Sequence, residues 1–430
     1  MLAIGATGSP REAVSPPRRP RHRAISFPLQ AVMLLLTTTT FGAAASTWEV
    51  GPEDDWCGII RALPAGGQVL LRPGDYSGPC TIRNGGTADA PIVLRAKDLR
   101  QLPRIIFQAE TQNVFEVRAD HVTIRGLQFG PTLPGVDAIR IYAVSGITIE
   151  DCYFSSLGGI AIVANHKHAR NIAVRRNQII GTKATGMYFG CHDGLHCALS
   201  DLLIEQNYIN GVDSPKGSIG YGVQVKLNST ATIRDNVVVN TKGPGIMVYG
   251  ARDLLQVSVV ERNYIAASKD SAIVLGGGPA IVKNNIAVLS AEAGIALEDY
   301  GKRGLLRKIV LAHNTLYGNT TGGIVVPKQG LIDVRIVNNA AHALPGTPAF
   351  PIGQPGVMSV GNVDCRMRPC FQAPELGNYS PLSLGLAFFD AYPVMPTEDY
   401  FGQRRAMPPI PGAVEAPARA IPLGIKIVDP

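Results

Sequence analysis

A short form, apolar-x-x-Asn-x-apolar, returns along this chain as "VTIRGLQF", "ITIEDCYF", "IAVRRNQI", "LLIEQNYI", "ATIRDNVV", "VVERNYI", "IVKNNIA", "VLAHNTL" and "RIVNNAA". Its register position falls at Leu127, Cys152, Asn177, Asn207, Asn236, Asn263, Asn285, Asn314 and Asn339, in steps of 22 to 30 residues. A second apolar block follows each one across a loop of variable length: "AIRIY", "GIAIV", "GMYFG", "YGVQVK", "GIMVY", "SAIVL", "GIALE" and "GGIVV". A period of this length marks a repeat architecture, in which one coil cannot bury its apolar side chains alone and stacked coils make the core. Short β-branched blocks bounded by turn residues read as strands. They lack both the leucine spacing of leucine-rich repeats and the 3.6-residue pattern of helical ones. The expected fold is all-β, a right-handed parallel β-helix with a ladder of inward Asn side chains at one turn. Each ladder Asn can bond to neighbouring turns and satisfy backbone groups that would cost about 1–3 kcal/mol each if buried unpaired. Leu127 and Cys152 hold the ladder position in the earliest coils, where a buried thiol acts as a small apolar group.

Residues 1–45 stand apart from the repeat. Arg18, Arg19, Arg21 and Arg23 precede the apolar run from Ala31 to Leu36, and Ala43, Ala44 and Ala45 offer a small-residue cleavage site, so the segment reads as an export signal. The run is shorter than the roughly 20 residues of a membrane span, and no transmembrane anchor is expected. Removing the segment's five arginines and Glu12 takes the formal charge from +7 to +3, which gives no reason to expect a nucleic-acid partner. The 430 residues then divide into the signal at 1–45, the β-helix at 46–385 and a C-terminal cap or tail at 386–430. Fifteen of the 32 prolines lie after residue 340, where regular coils should give way. Six cysteines suit three local pairs, Cys57 with Cys80, Cys191 with Cys197 and Cys365 with Cys370, as in a periplasmic or secreted protein.

If the apolar pair of each second block faces in, two columns face out. The first reads Arg140, Ala161, Tyr188, Gln224, Met247, Val274, Ala296, Val325, and the second Tyr142, Val163, Gly190, Lys226, Tyr249, Gly276, Glu298, Pro327. Coils repeat at about 4.8 Å, so Lys226 and Tyr249 should be neighbours. The loops flanking these middle coils are rich in titratable groups: "ANHKHARN" carries His166 and His168, "CHDGLHC" carries His192, Asp193 and His196, and "GARD" carries Arg252 and Asp253. The cysteines of "CHDGLHC" read as a staple rather than a metal site, and no metal ligands are assigned.

The segment "LPAGGQVLLRPGDYSGPCTIRNGGTADAPIVLRA" resembles the opening coils of secreted bacterial right-handed β-helix proteins, including the polysaccharide lyases that contain alginate lyases and chondroitinase B. "SPLSLGLAFFDAYPVMPTEDYFGQRRAMPPIPGAVE" is similar to their closing stretch, with Pro411 standing between Ile410 and Gly412. The resemblance implies an exported carbohydrate-active protein, a lyase or an epimerase, whose partner is an acidic polysaccharide. It also implies a Lys at a strand end, an Asn-bearing coil and then an Arg, an order that "VKLNSTATIRDN" and "GIMVYGARD" share. The family's acidic calcium ligands before that Lys have no counterpart in "SIGYGVQV", so no cofactor is assigned and a divalent cation such as calcium stays open.

Elimination from a uronic acid needs a base for the proton α to the carboxylate, a cation to neutralise that carboxylate and an acid for the leaving oxygen. The expected catalytic residues are Lys226 as base, Arg252 on the carboxylate, Tyr249 or Tyr188 as acid, and His192 beside them. Tyr188, Gln224, Arg140, Tyr142, His166 and His168 are expected to bind substrate. Hydrolysis needs two carboxyl groups about 5 to 9.5 Å apart, and the outward columns hold no such pair. A non-catalytic polysaccharide-binding or surface-structural protein is the alternative.

Overall fold

The computed structural model describes residues 46–109, 113–143, 145–252, 256–301, 304–366, 369–382 and 395–415. The expected export signal, and the part of the 386–430 tail beyond 395–415, lie outside the described residues. Among the described residues, three parallel sheets of 13, 12 and 10 strands run the length of a solenoid, and a coil contributes one strand to each. Inward residues of all three sheets form one continuous apolar core, from Val50 and Trp56 to Val334 and Ile336.

The ladder is built as the repeat requires. The side-chain amide of Asn207 donates to Asn236 Oδ1 at 2.9 Å and to the Val174 carbonyl at 2.9 Å, while its own oxygen accepts from Asn177. The same pattern continues through Asn263, Asn285, Asn314 and Asn339. Asn362, which the sequence pattern does not include, closes the stack by accepting from Asn339 at 2.9 Å. Cys152 occupies its expected place, buried, and its backbone N–H donates to Asn177 Oδ1. The residue before each rung is left-handed, for example Gln206 at φ 56° and Asp235 at φ 56°. A non-glycine residue in that region is strained. The rung's side-chain bonds hold it there.

Outward charges on the 13-stranded sheet form a second ladder, with Glu150, Arg175, Glu205, Arg234 and Glu261 in register. Arg175 reaches Glu150 at 2.7 Å and Arg234 reaches Glu205 at 2.7 Å. At the first coils the helix Trp56–Ala62, N-capped by Asp55, stacks Trp56 on Phe115 with centroids 5.6 Å apart. The three disulfides are those expected, Cys57–Cys80, Cys191–Cys197 and Cys365–Cys370. Among the described residues no helix is long and apolar enough to cross a membrane.

Residues 395–415 lie along the flank of the late ladder turns. Arg405 bonds Asn284 Oδ1 at 2.7 Å and Glu415 at 2.7 Å, both contacts buried. Beside them the His313 ring donates from Nδ1 to the Ile410 carbonyl and accepts from Asn338 at Nε2. Burial first, and then the Arg405 charge, hold the His313 pKa well below 6.5. The native state therefore keeps this ring neutral while the unfolded chain takes up a proton below pH 6.5. Stability from this group is full above that pH and falls as the pH drops through it, by up to about 1.4 kcal/mol per unit. Urea midpoints measured between pH 7.5 and 5 should decline, and His313→Asn should flatten the decline.

Candidate functional site

The site grows from the 10-stranded sheet, whose outer face is set by strand register. Arg140 pairs with Val163, then Val163 with Tyr188, Tyr188 with Gln224 and Gln224 with Met247. This corrects the expected column, which holds Ala161 where Val163 stands. Continuing the register by two residues puts Asn165, not Val163, beside Gly190 and Lys226. The run from Ile160 to Ala164 is apolar on both parities, and a slip of two residues leaves the alternation unchanged.

Lys226, one residue past the strand Val223–Val225, is only 5% exposed. Its Nζ lies 4.4 Å from the ring centroid of Tyr249, 5.3 Å from that of Tyr188 and 3.4 Å from His192 Nδ1. Gly190 makes room for it. A Cβ there would come within 3.1 Å of Lys226 Cβ and 2.3 Å of Ser229 Oγ, and φ is 89°. Tyr249 is buried, with its hydroxyl 3.3 Å from that of Tyr221. Burial, reinforced by Tyr249, pushes the Tyr188 phenol up to about 12, so it keeps its proton at neutral pH. Gln224 is buried in the floor. His192 projects from the loop closed by Cys191–Cys197. In that loop Asp193 accepts the Leu195 and His196 backbone N–H groups and pairs with the His196 ring, which together hold its carboxyl down to about 2. The loop's carboxylate is thus used by the loop itself.

Lys226, Tyr249, Tyr188, Gln224 and His192 share one groove of about 960 Å³, lined also by Arg140, Asp137 and Tyr221. Arg140 stands at its far end, three coils or roughly 14 Å from Lys226 at the strand spacing. It pairs with Asp137 and donates to Asn165 Oδ1 at 3.0 Å. Tyr142 and His166 stack at 4.4 Å and buttress Arg140 from behind without lining the groove. Burial, then the Arg140 and Arg118 charges, lower the His166 pKa.

Two expected residues fall elsewhere. Arg252 does not line the groove: the chain leaves the sheet at Gly250, φ 75°, and the exposed Arg252 fastens its backbone N–H to Asn228 Oδ1. Asp253 lies outside the described residues. His168 belongs to another depression, with Asp120 and Arg170, and its Nδ1 accepts the Ala198 N–H. The next strand begins at Ala169 on a different sheet, which turns His168 away.

Sequence reasoning misses Tyr221, Asp137 and Tyr300, and it misses a cluster of acids. Asp270, Glu292 and Glu298 bring carboxylate oxygens within 4.8 Å of one another, and among the described residues none of the three forms an ion pair. Burial raises the Asp270 pKa, and burial plus the other two acids raises that of Glu292. Only Glu298 lies in an outward column. Asp270 and Glu292 come from loops for which the repeat gives no register. Three carboxylates of this kind are the donor set a divalent cation takes, but they sit coils away from the position before Lys226 where the resembled family carries its calcium ligands.

Comparison with known proteins bears on the fold. A family model described as the right-handed beta helix region matches residues 111–259 and 194–350, together more than half of the chain. No curated protein sequence matches. The A-module of the Azotobacter vinelandii mannuronan C-5 epimerase AlgE4 is similar in structure, with a TM-score of 0.55 at 15% identity over 76% of this chain and 95% of that one. An alginate lyase from Paenibacillus sp. str. FPU-7 gives a TM-score of 0.48 at 14% identity over 74% and 99% of the two chains. At such identities the likeness is one of fold. Matched by that model over more than half its length, and built of these coils, this ladder and this register, the chain belongs to the right-handed β-helix family.

Proposed function

We propose that this chain is an exported enzyme that removes the proton α to the carboxylate of a uronic-acid unit in an acidic polysaccharide, leading to β-elimination or to epimerisation. The observation that carries the reading is the convergence of Lys226, His192, Tyr188, Tyr249 and Gln224 in one groove. The shared fold names no reaction by itself. Export is supported by the arginine-led apolar start of the chain and by three disulfides.

In the reaction the neutral amine of Lys226 takes the α proton, and the electron pair left behind moves into the carboxylate. His192 and the Gln224 amide donate to that carboxylate, the part expected of Arg252. In elimination the carbon–oxygen bond at the neighbouring carbon breaks as the double bond forms, and Tyr188 or Tyr249 gives its proton to the departing oxygen. In epimerisation Tyr188 or Tyr249 gives its proton to the same carbon on the face opposite the base. The test is a panel of polyuronates, read by absorbance of the new conjugated double bond and by NMR of the sugar configuration. Neither change with any polymer, with binding retained, would favour a binding protein instead.

Because the Cys191–Cys197 bridge fixes the loop that bears His192, the pair Cys191→Ser and Cys197→Ser is expected to lower turnover by about ten- to a hundred-fold through misplacement of that ring. The bridge closes a loop with a sequence separation of only 6, a length at which a disulfide constrains the unfolded chain least. The urea midpoint should therefore move little, and equal losses of activity and stability would count against the positioning role.

A further inference from the structure

Past the coil of Lys226 the outer face of the 10-stranded sheet is covered. Met247 and Val274 point outward in register with Gln224, yet both are fully buried, and they join Tyr221, Leu227, Tyr249, Ala293 and Ala296 in an apolar cluster separate from the core. Tyr300 packs onto this cluster, its ring 5.3 Å from that of Tyr249. The cover is tight. A Cβ on Gly304 would lie 2.1 Å from the Tyr249 carbonyl oxygen and 2.6 Å from that of Gly276, and one on Gly276 would lie 3.1 Å from the Tyr300 ring. On the other side of Lys226 the groove stays open for three coils, through Tyr188 to Arg140.

Charge follows the same division. Besides the base Lys226, the groove's charged lining is Asp137, Arg140, Lys183 and Asp213, two acids balanced by two cations with histidine neutral. On the covered side stand Asp270, Glu292 and Glu298, whose carboxylate oxygens lie within 4.8 Å of one another. A polyanion laid across them would meet like charge in a partly desolvated setting.

We infer that Lys226 lies at the blind end of a one-sided groove, so that the site acts on the end of an acidic polysaccharide chain and not within it. The rest of the polymer extends from Lys226 toward Arg140, whose guanidinium suits the carboxylate of a unit further along. This inference rests on the proton abstraction proposed above, and it adds which unit of the polymer reacts.

The experiment uses the full chain and a polyuronate that it turns over, in D2O, with products examined while most of the polymer is intact. If the polymer is cleaved, one short product class should appear from the first turnovers while solution viscosity stays unchanged. If it is not, deuterium should reside only in terminal units by NMR. Tyr300→Ala, which thins the cover, should add products of intermediate size or interior label. A ladder of sizes from the unaltered chain, or label spread through the polymer interior, would overturn the blind end and leave proton abstraction standing. Neither cleavage nor deuterium with any polyuronate would overturn proton abstraction, and the blind end with it.

Discussion

Lys226→Ala is expected to lower polyuronate turnover by about 10²- to 10⁴-fold, the range that a positioned acid or base contributes. The loss should appear in kcat, because Tyr188, Gln224 and Arg140 still line the groove and hold the polymer. Lys226→Arg should not rescue it, since a guanidinium stays protonated and cannot take a proton. Folding should survive both changes. Lys226 faces outward between two tyrosine rings, while the core beneath is made by Val223 and Val225. Turnover is measured beside far-UV circular dichroism and thermal melting. Unchanged turnover in Lys226→Ala would remove the lysine from the chemistry and leave His192 as the base to test.

The largest effect on stability is expected at Arg405. Its side chain is 1% exposed and that of Glu415 6%, and the two meet at 2.7 Å. Arg405 also bonds Asn284 Oδ1 and the carbonyls of Gly412 and Ala413, so one guanidinium ties 395–415 to the ladder turn. Arg405→Ala would leave Glu415 buried without its partner, at a cost of about 3–5 kcal/mol. Changing both, Arg405→Met with Glu415→Gln, removes both charges and should cost clearly less than the single change. The urea midpoint of the three proteins, the unaltered chain and these two variants, reads this directly. If the double variant loses as much as Arg405→Ala, the backbone contacts of Arg405 matter more than the ion pair.

How far the molecule can be read from its sequence depends on what each residue answers to. The ladder is legible because backbone groups at a fixed buried turn require the same amide in coil after coil, and Asn177 through Asn339 are that requirement repeated. Lys226 is legible as the lone cation of an outward column. The slip at Ile160 to Ala164 is not, since alternation carries parity and not register. Arg252 is misplaced because the left-handed turn at Gly250 leaves no trace in periodicity. Asp270, Glu292 and the cover by Tyr300 belong to loops, and where loops return to the sheet is decided by packing between coils.

The most direct test of the central claim is wash-in of solvent deuterium at the carbon α to the carboxylate, followed by mass spectrometry of a polyuronate incubated in D2O with the unaltered chain and with Lys226→Ala side by side. Both elimination and epimerisation begin by removing that hydrogen, so the measurement does not depend on which follows. Loss or replacement of the α hydrogen is expected with the unaltered chain and at least a hundredfold less, on the order of the base's contribution, with Lys226→Ala. Equal exchange in the two, or product formation in which the α hydrogen is retained, would contradict the central claim.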